Sequence, residues 1–267
     1  MLNVLSLFSG IGAFEKALQN CRIPYKLVNY CEIDKYASKS YSAIHHVSEE
    51  LNLKDVAKVN KCDIDSRIDL ITYGFPCQDI SVAGKQKGFT DLDGQRTRSG
   101  LFFEALRIIE NFKPKFAIAE NVKALTSKKF KAEFETVMSS LEKVGYSNYW
   151  KILNAKDYGI PQNRERIFIV SIRKDIDKGF DFPIPFPLRL RLKDLLDDKV
   201  EDKYYLSDKM LEKITYSSMM NIRDSGIIEV ADLHKGGQRS KVISADGNIS
   251  SLTATDYKQP KQIAEKH

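Results

Sequence analysis

Short apolar runs alternate with longer amphipathic stretches from the first residue to about Ile172. Apolar runs bounded by turn residues read as strands, and stretches with apolar residues three and four apart read as helices. The pattern predicts strands at Val4–Phe8, Leu27–Glu32, Asp69–Gly74, Lys115–Glu120, Tyr149–Asn154 and Ile167–Ile172. It predicts helices at Ala13–Gln19, Lys35–His45, Leu101–Asn111 and Lys131–Val144. Strands and crossover helices taking turns in this way imply an α/β fold, a doubly wound and mostly parallel sheet. Ligands of such sheets sit outside the carboxyl ends of the strands. The residues there read FSGIG, CEID, GFPCQ and ENV.

The texture changes after Arg173. FDFPIPFPL holds three of the eight prolines, the charged stretch KDLLDDKVEDK follows, and the remainder is polar with a glycine pair at Gly236 and Gly237. Proline and glycine punctuate irregular structure, so a second, smaller module is expected there. A chain of 267 residues is long enough for one large core with such an appendage.

Composition excludes more than it identifies. At 42% hydrophobic and 29% charged the chain has the balance of a globular protein, and no apolar run approaches the roughly 18 residues of a membrane span. The start, MLNVLSLFSG, shows neither a basic leader nor a cleavage site, so a cytoplasmic location is expected. Cys21, Cys31, Cys62 and Cys77 lack CxxC spacing and are not arranged with His45, His46, His234 and His267 as zinc ligands, so reduced thiols and no metal are expected. A net charge of +6 is compatible with a polyanionic partner without requiring one.

The chemistry lies at the strand ends. VLSLFSGIG is a strand running into a glycine turn and a helix, where backbone amides meet nucleotide-like ligands. A dinucleotide fingerprint would place a third glycine where Glu15 stands. A carboxylate there disfavours a pyrophosphate and suits a ligand carrying a sulfonium and an ammonium group, which points away from NAD and towards S-adenosylmethionine. Glu32, at the end of the second strand, is placed to accept from ribose hydroxyls, and Asp63 in KCDI from an adenine amino group. The plainer alternative is that Gly10 and Gly12 only make a tight turn. Cys77 follows the strand that ends at Gly74, so its sulfur is expected in the same crevice. A thiol is a nucleophile only where its thiolate is favoured, and a lone cysteine is by default a small buried apolar residue. Its company alters that default. Glu120 ends the next strand, and Arg164 and Arg166 in PQNRERIFIV alternate where another strand begins, which points both to one face.

In order and wording these segments resemble the cytosine-5 DNA methyltransferases of bacterial restriction-modification systems and phages. The matching stretches are LFSGIGAFE, NYCEIDKYA, GFPCQDIS with AGKQKGF, RSGLFFE, ENVK, NAKDYGIPQNRERIF and GGQRSKVISADGNISSLTA, from about residue 3 to residue 257. The resemblance implies a Rossmann-like, S-adenosylmethionine-dependent methyltransferase domain over 1–178, a target-recognition module over 179–250 and a return segment over 251–267. It further implies that a Cys77 thiolate adds to carbon 6 of a cytosine flipped out of duplex DNA. Glu120 would then serve ring nitrogen 3 and the exocyclic amine, Arg166 would hold the carbonyl oxygen, and Arg164 would support the thiolate or Glu120. Implied cofactor-binding residues are Phe8, Gly10, Gly12, Glu32, Ile33, Asp63, Ile64, Pro76 and Leu101. The stretch from Asp79 to Gly100 becomes a lid over the DNA, with Gln78, Ser81, Lys85 and Arg98 against the duplex. In the recognition module, Gly236, Gly237, Gln238, Arg239 and Lys241 are the implied DNA-binding residues.

The family's tenth motif, a helix that returns beside the first strand and completes the cofactor pocket, has no counterpart in QIAEKH. A second polypeptide supplying that helix, a truncated chain, or a local substitute would each account for this. Two further functions are carried as alternatives. One is an RNA cytosine methyltransferase on the same scaffold, which the GGQR-bearing module argues against. The other is a DNA-binding subunit that is inactive without its partner, which the intact Cys77, Glu120 and Arg166 argue against.

Overall fold

The computed structural model describes residues 1–76, 98–233, 241–252, 256 and 261–264, with the backbone alone at 98–99 and 215–220. The chain forms two units, Met1–Ile152 with Arg166–Phe182, and Leu153–Glu165 with Pro183–His267.

The first unit is an α/β sheet. Its elements are β1 (Leu2–Leu7), α1 (Ala13–Asn20), β2 (Tyr25–Cys31), α2 (Lys35–His45), β3 (Leu70–Tyr73), α3 (Phe102–Phe112), β4 (Phe116–Val122), α4 (Lys131–Lys143) and β5 (Tyr146–Asn154). The chain then forms β6 (Gln162–Asn163), which lies in the second unit, and returns as β7 (Glu165–Arg173). The strand order is β2-β1-β3-β4-β7-β5. β1 is parallel to β2 and β3, β3 is parallel to β4, and β7 runs antiparallel to β4. The chain winds outward from β1 to β2 and then crosses to β3, so the topological switch point lies at the carboxyl ends of β1 and β3.

Burial follows from the sequence pattern. Val4 to Leu7 and all of β3 are buried without alternation, as strands central to a parallel sheet require. β4 alternates strictly. Phe102, Ala105, Ile108 and Ile109 form one face of α3, and Val137 and Leu141 one face of α4; these pack with Leu5, Leu7, Ile71 and Ala119 in one core. Asp34 starts α2 directly after CEI because its carboxylate accepts from the Tyr36 and Ala37 N–H groups at 2.8 and 2.9 Å. Every strand and helix expected from the sequence is present, α2 with the expected bounds and the others with a shifted end. One shift sets the site: β4 runs on to Val122, whose partner in β7 is Arg166, so Glu120 lies inside a paired strand and not at its tip.

In the second unit, α5 (Asp208–Leu211) precedes β8 (Thr215–Ile222), β9 (Ile228–Asp232), β10 (Lys241–Ser244), β11 (Ile249–Ser250) and β12 (Gln262–Ala264). The sheet order is β12-β10-β9-β8, and β11 pairs with β6. Two small apolar clusters hold this unit, one around Leu192, Ile227 and Ile243 and the other around Ala231, Leu233 and Val242. Among the described residues no helix is long and apolar enough to cross a membrane.

Candidate active site

The turn after β1 is built from unusual backbone. Phe8, Gly10 and Gly12 all adopt left-handed conformations, with φ of 54, 56 and 85°. For Phe8 this costs about 1 kcal/mol or more, so surrounding contacts must hold it. They come from two sides. Ser9 N–H donates to the Cys31 carbonyl at 3.0 Å, and Gly10 N–H donates to Glu32 Oε2 at 2.8 Å. On the other side Gly12 lies against the His45 ring, and a Cβ added to it would also come within 2.9 Å of Tyr41 Cε2. Glu32 is itself fixed, since Oε1 accepts from Asp34 N–H at 2.8 Å and its backbone pairs with the Asn52 amide.

These contacts shape a cleft of about 280 Å³ at the ends of β1, β2 and β3. Phe8, Ile33, Val56, Pro76 and Leu101 give it apolar walls, and Glu32, Lys54 and Asp55 give it polar groups. Burial, followed by the Asp55 and Glu32 charges, pushes the Cys31 thiol in this cleft up to about 12, so it stays a thiol and is no nucleophile. The Gly10 amide that a pyrophosphate would need is already taken by Glu32.

Across the switch point the site is made of regular strand. Tyr73 pairs with Ala119, which brings Gly74 beside Glu120; an added Cβ on Gly74 would lie 3.7 Å from Glu120 Oε2. Glu120 pairs with Phe168 and Val122 with Arg166, so Glu120 and Arg166 are diagonal neighbours on one face. Arg166 Nε meets Glu120 Oε1 at 3.0 Å with both side chains partly buried. The neighbouring Asn121, 3% exposed, donates from Nδ2 to the Phe75 carbonyl at 3.2 Å. That bond ties the segment leading to Cys77 onto β4.

This arrangement is matched by known proteins along the whole chain. Residues 2–267 match the family described as C-5 cytosine-specific DNA methylase. The chain belongs to that family. It is 34% identical to the orphan methyltransferase M.SPRI of Bacillus phage SPR over 307 residues, covering 99% of this chain and 69% of the relative. It is 35% identical to the type II methyltransferase M.HhaI of Haemophilus parahaemolyticus over 254 residues, covering 95% of this chain and 74% of the relative. The crystal structure of the S. pombe Dnmt2 methyltransferase shares the fold, with a TM-score of 0.66, 21% identity and coverage of 98% of this chain and 73% of that one. The chain is therefore an enzyme, a DNA (cytosine-5-)-methyltransferase of an S-adenosylmethionine-dependent fold. Of the three accounts of the missing tenth motif, a second polypeptide finds no support in these matches.

The methylase does not gather every expected site residue. Phe8, Glu32, Ile33, Pro76 and Leu101 line the cleft, and Gly10 and Gly12 form the turn behind it. Asp63 and Ile64 are elsewhere: Asp63 is exposed and accepts from Asn60 N–H at 2.7 Å, and Ile64 is 5% exposed in the core. Their places are taken by Asp55 and Val56, brought to the cleft because Leu53 N–H donates to the Tyr30 carbonyl at 2.8 Å beside the end of β2. The two Asp-aliphatic pairs read alike, and only that pairing distinguishes them. Glu15 does not face a ligand, contrary to expectation. Its position in α1 turns it inward, 1% exposed and, among the described residues, with no hydrogen-bond partner on either oxygen, near Ser6, Tyr41 and His45. Burial pushes its carboxyl above the usual range, weakly opposed by those neighbours.

Arg164 stands between two strands and inside neither. It occupies the break between β6 and β7, where its N–H donates to Asn154 Oδ1 at 3.0 Å and its carbonyl accepts from Ala155 N–H, and it belongs to the second unit. Lys241 opens β10 and its Nζ is 2.9 Å from Asp232 Oδ2 across the sheet. Arg98 begins a 3-10 turn, Arg98–Leu101. Cys77, Gln78, Ser81, Lys85, Gly236, Gly237, Gln238 and Arg239 lie outside the described residues.

Proposed function

We propose that the chain moves a methyl group from S-adenosylmethionine to carbon 5 of a cytosine flipped out of a specific duplex DNA sequence, through a covalent adduct with Cys77. The observation that carries this reading is the Glu120–Arg166 pair beside Gly74, with Asn121 fixing Phe75 two residues before Cys77. S-adenosylmethionine, when bound, supplies a methyl group on a positively charged sulfur. The cleft suits it: Phe8, Val56 and Leu101 offer apolar surface for a purine, and Glu32 and Asp55 offer acceptors for hydroxyl and amino groups. Each Glu32 oxygen already takes one N–H and retains a lone pair for a ligand.

Cytosine is a poor carbon nucleophile at carbon 5. A Cys77 thiolate forming a bond to carbon 6 turns the ring into an enamine, and the negative charge this adds must be met by a proton at ring nitrogen 3. Glu120 serves there, with its O–H towards nitrogen 3 and its second oxygen accepting from the exocyclic amine. That pairing rejects thymine, which presents a carbonyl and an N–H instead. Arg166 holds the ring carbonyl oxygen and keeps Glu120 in register. Carbon 5 gains the methyl group and then loses its proton to a base, the carbon 5–carbon 6 double bond re-forms, and the thiolate leaves. The base must leave the stack because these atoms are out of reach in a duplex. We assign Gln78, Ser81, Lys85 and Arg98, with Gly236 to Arg239 and Lys241, to the DNA.

The test is incubation with labelled S-adenosylmethionine and duplex DNA or RNA, followed by identification of the modified nucleoside. 5-Methylcytosine in DNA is expected. N4-methylcytosine, a methylated adenine, or methylation of RNA alone would overturn the reading.

A further inference from the structure

We infer that His45 is a positioning residue for the cofactor: its bond to the Ile11 carbonyl and its ring contact beneath Gly12 keep Phe8 in the wall of the cleft. This rests on the reading of that cleft as the S-adenosylmethionine site.

His45 ends α2 and is 8% exposed. Its Nε2 lies 3.1 Å from the Ile11 carbonyl oxygen, which can only accept, so Nε2 carries the proton. In the neutral ring that leaves Nδ1 as the acceptor, and Gln19 Nε2, at 3.4 Å, is the donor facing it. Gln19 in α1 thereby selects the tautomer that α2 needs to hold the turn preceding α1. The ring also packs against Tyr41, centroid to centroid 4.7 Å, and Tyr41 is stacked on Tyr30 at 4.1 Å. Tyr30 is anchored in turn by the Ser38 and Ser42 hydroxyls at 3.1 Å each.

The turn needs such a support. Three left-handed residues within five positions do not persist unless several contacts agree on them. Glu32 holds the turn from the cleft side through Gly10, and Ser9 closes it by accepting from Gly12 N–H at 2.9 Å. His45 is the contact on the other side, and it reaches the one carbonyl between the two glycines. The fit is also steric: any side chain at Gly12 would overlap the imidazole, so glycine and histidine are matched. Losing the hydrogen bond lets the turn relax and withdraws Phe8 from the cleft, which weakens cofactor binding and leaves the Glu120–Arg166 edge unchanged.

The experiment compares wild type, His45→Phe and His45→Gln in the full chain. His45→Phe keeps an aromatic ring under Gly12 without the donor, whereas His45→Gln keeps a donor without the ring. Calorimetric titration with S-adenosylhomocysteine is expected to show His45→Phe binding about fivefold more weakly, the worth of one net hydrogen bond. His45→Gln should recover part of that loss. KM for S-adenosylmethionine should rise in step, with kcat and DNA affinity within about twofold of wild type. A parallel fall in kcat with KM unchanged would indicate general loosening and overturn the proposal, as would wild-type affinity in a folded His45→Phe. If wild type bound no S-adenosylhomocysteine, the reading of the cleft would fail instead. Hydrogen exchange at the Gly12 amide without ligand then decides the role of His45: faster exchange in His45→Phe supports it and an unchanged rate refutes it.

Discussion

The turn after β1 and the edge formed by β4 and β7, which the proposed function assigns to one reaction, are built on opposite principles. At the turn the backbone is strained and the side chains around it are braces: Phe8, Gly10 and Gly12 are left-handed, and Glu32 and His45 hold them. At the edge the backbone is an unbroken antiparallel ladder, and the side chains of Glu120 and Arg166 meet across it, where the proposed function places the chemistry. Substitutions at the edge should therefore remove activity and spare the fold, whereas substitutions at the turn should damage folding or cofactor binding before they touch the chemical step.

The sharpest break of that contrast would come from Glu120→Gln. It keeps the shape of the side chain and removes the proton, so kcat should fall by about 100-fold or more. The melting midpoint and the affinity for S-adenosylhomocysteine should barely change. A large loss of stability would show that the edge is a structural ion pair after all. Gly12→Ala should do the reverse. An added methyl meets both a φ of 85° and the His45 ring, a loss of about 3 kcal/mol, or roughly 10 °C in the melting midpoint measured by calorimetry.

Within the cleft, Asp55→Asn should weaken S-adenosylhomocysteine binding about tenfold and Asp63→Asn less than twofold, since only Asp55 lines it. The reverse order, read by calorimetric titration, would return the role to Asp63. The smallest effect belongs to Glu15, whose carboxyl is pushed up by burial. Below its unfolded value the group is neutral in both states. As pH rises through the interval up to the raised folded value, the unfolded chain ionises first, so stability falls with pH. Glu15→Gln removes this dependence, and its melting midpoint should exceed that of wild type by more at about pH 8 than at about pH 4.

The contrast also explains what could be read without coordinates. The edge is legible because strands follow from apolar periodicity, and Glu120 and Arg166 sit on regular strands whose pairing brings them together. The strand break at Arg164 is not legible, because Asn154 takes the Arg164 N–H, a local side-chain bond that periodicity does not report. The braces were least legible. Glu15 looked like a ligand-facing charge, yet one helical turn carries it inward, and His45 gave no signal because its partner is a carbonyl, which every residue has. Periodicity does not separate Asp55 from Asp63, because the segment from Asn52 reaches the cleft through a backbone bond to Tyr30.

The covalent step is tested most directly by duplex DNA in which 5-fluorocytosine replaces the target base. Fluorine at carbon 5 cannot leave as the proton does, so the enzyme is held on the DNA once carbon 6 is attacked and the methyl transferred. The account predicts a stable protein–DNA adduct that requires S-adenosylmethionine, maps to Cys77 by mass spectrometry and is absent in Cys77→Ala. An adduct on another residue, or undiminished methylation by Cys77→Ala, would contradict it.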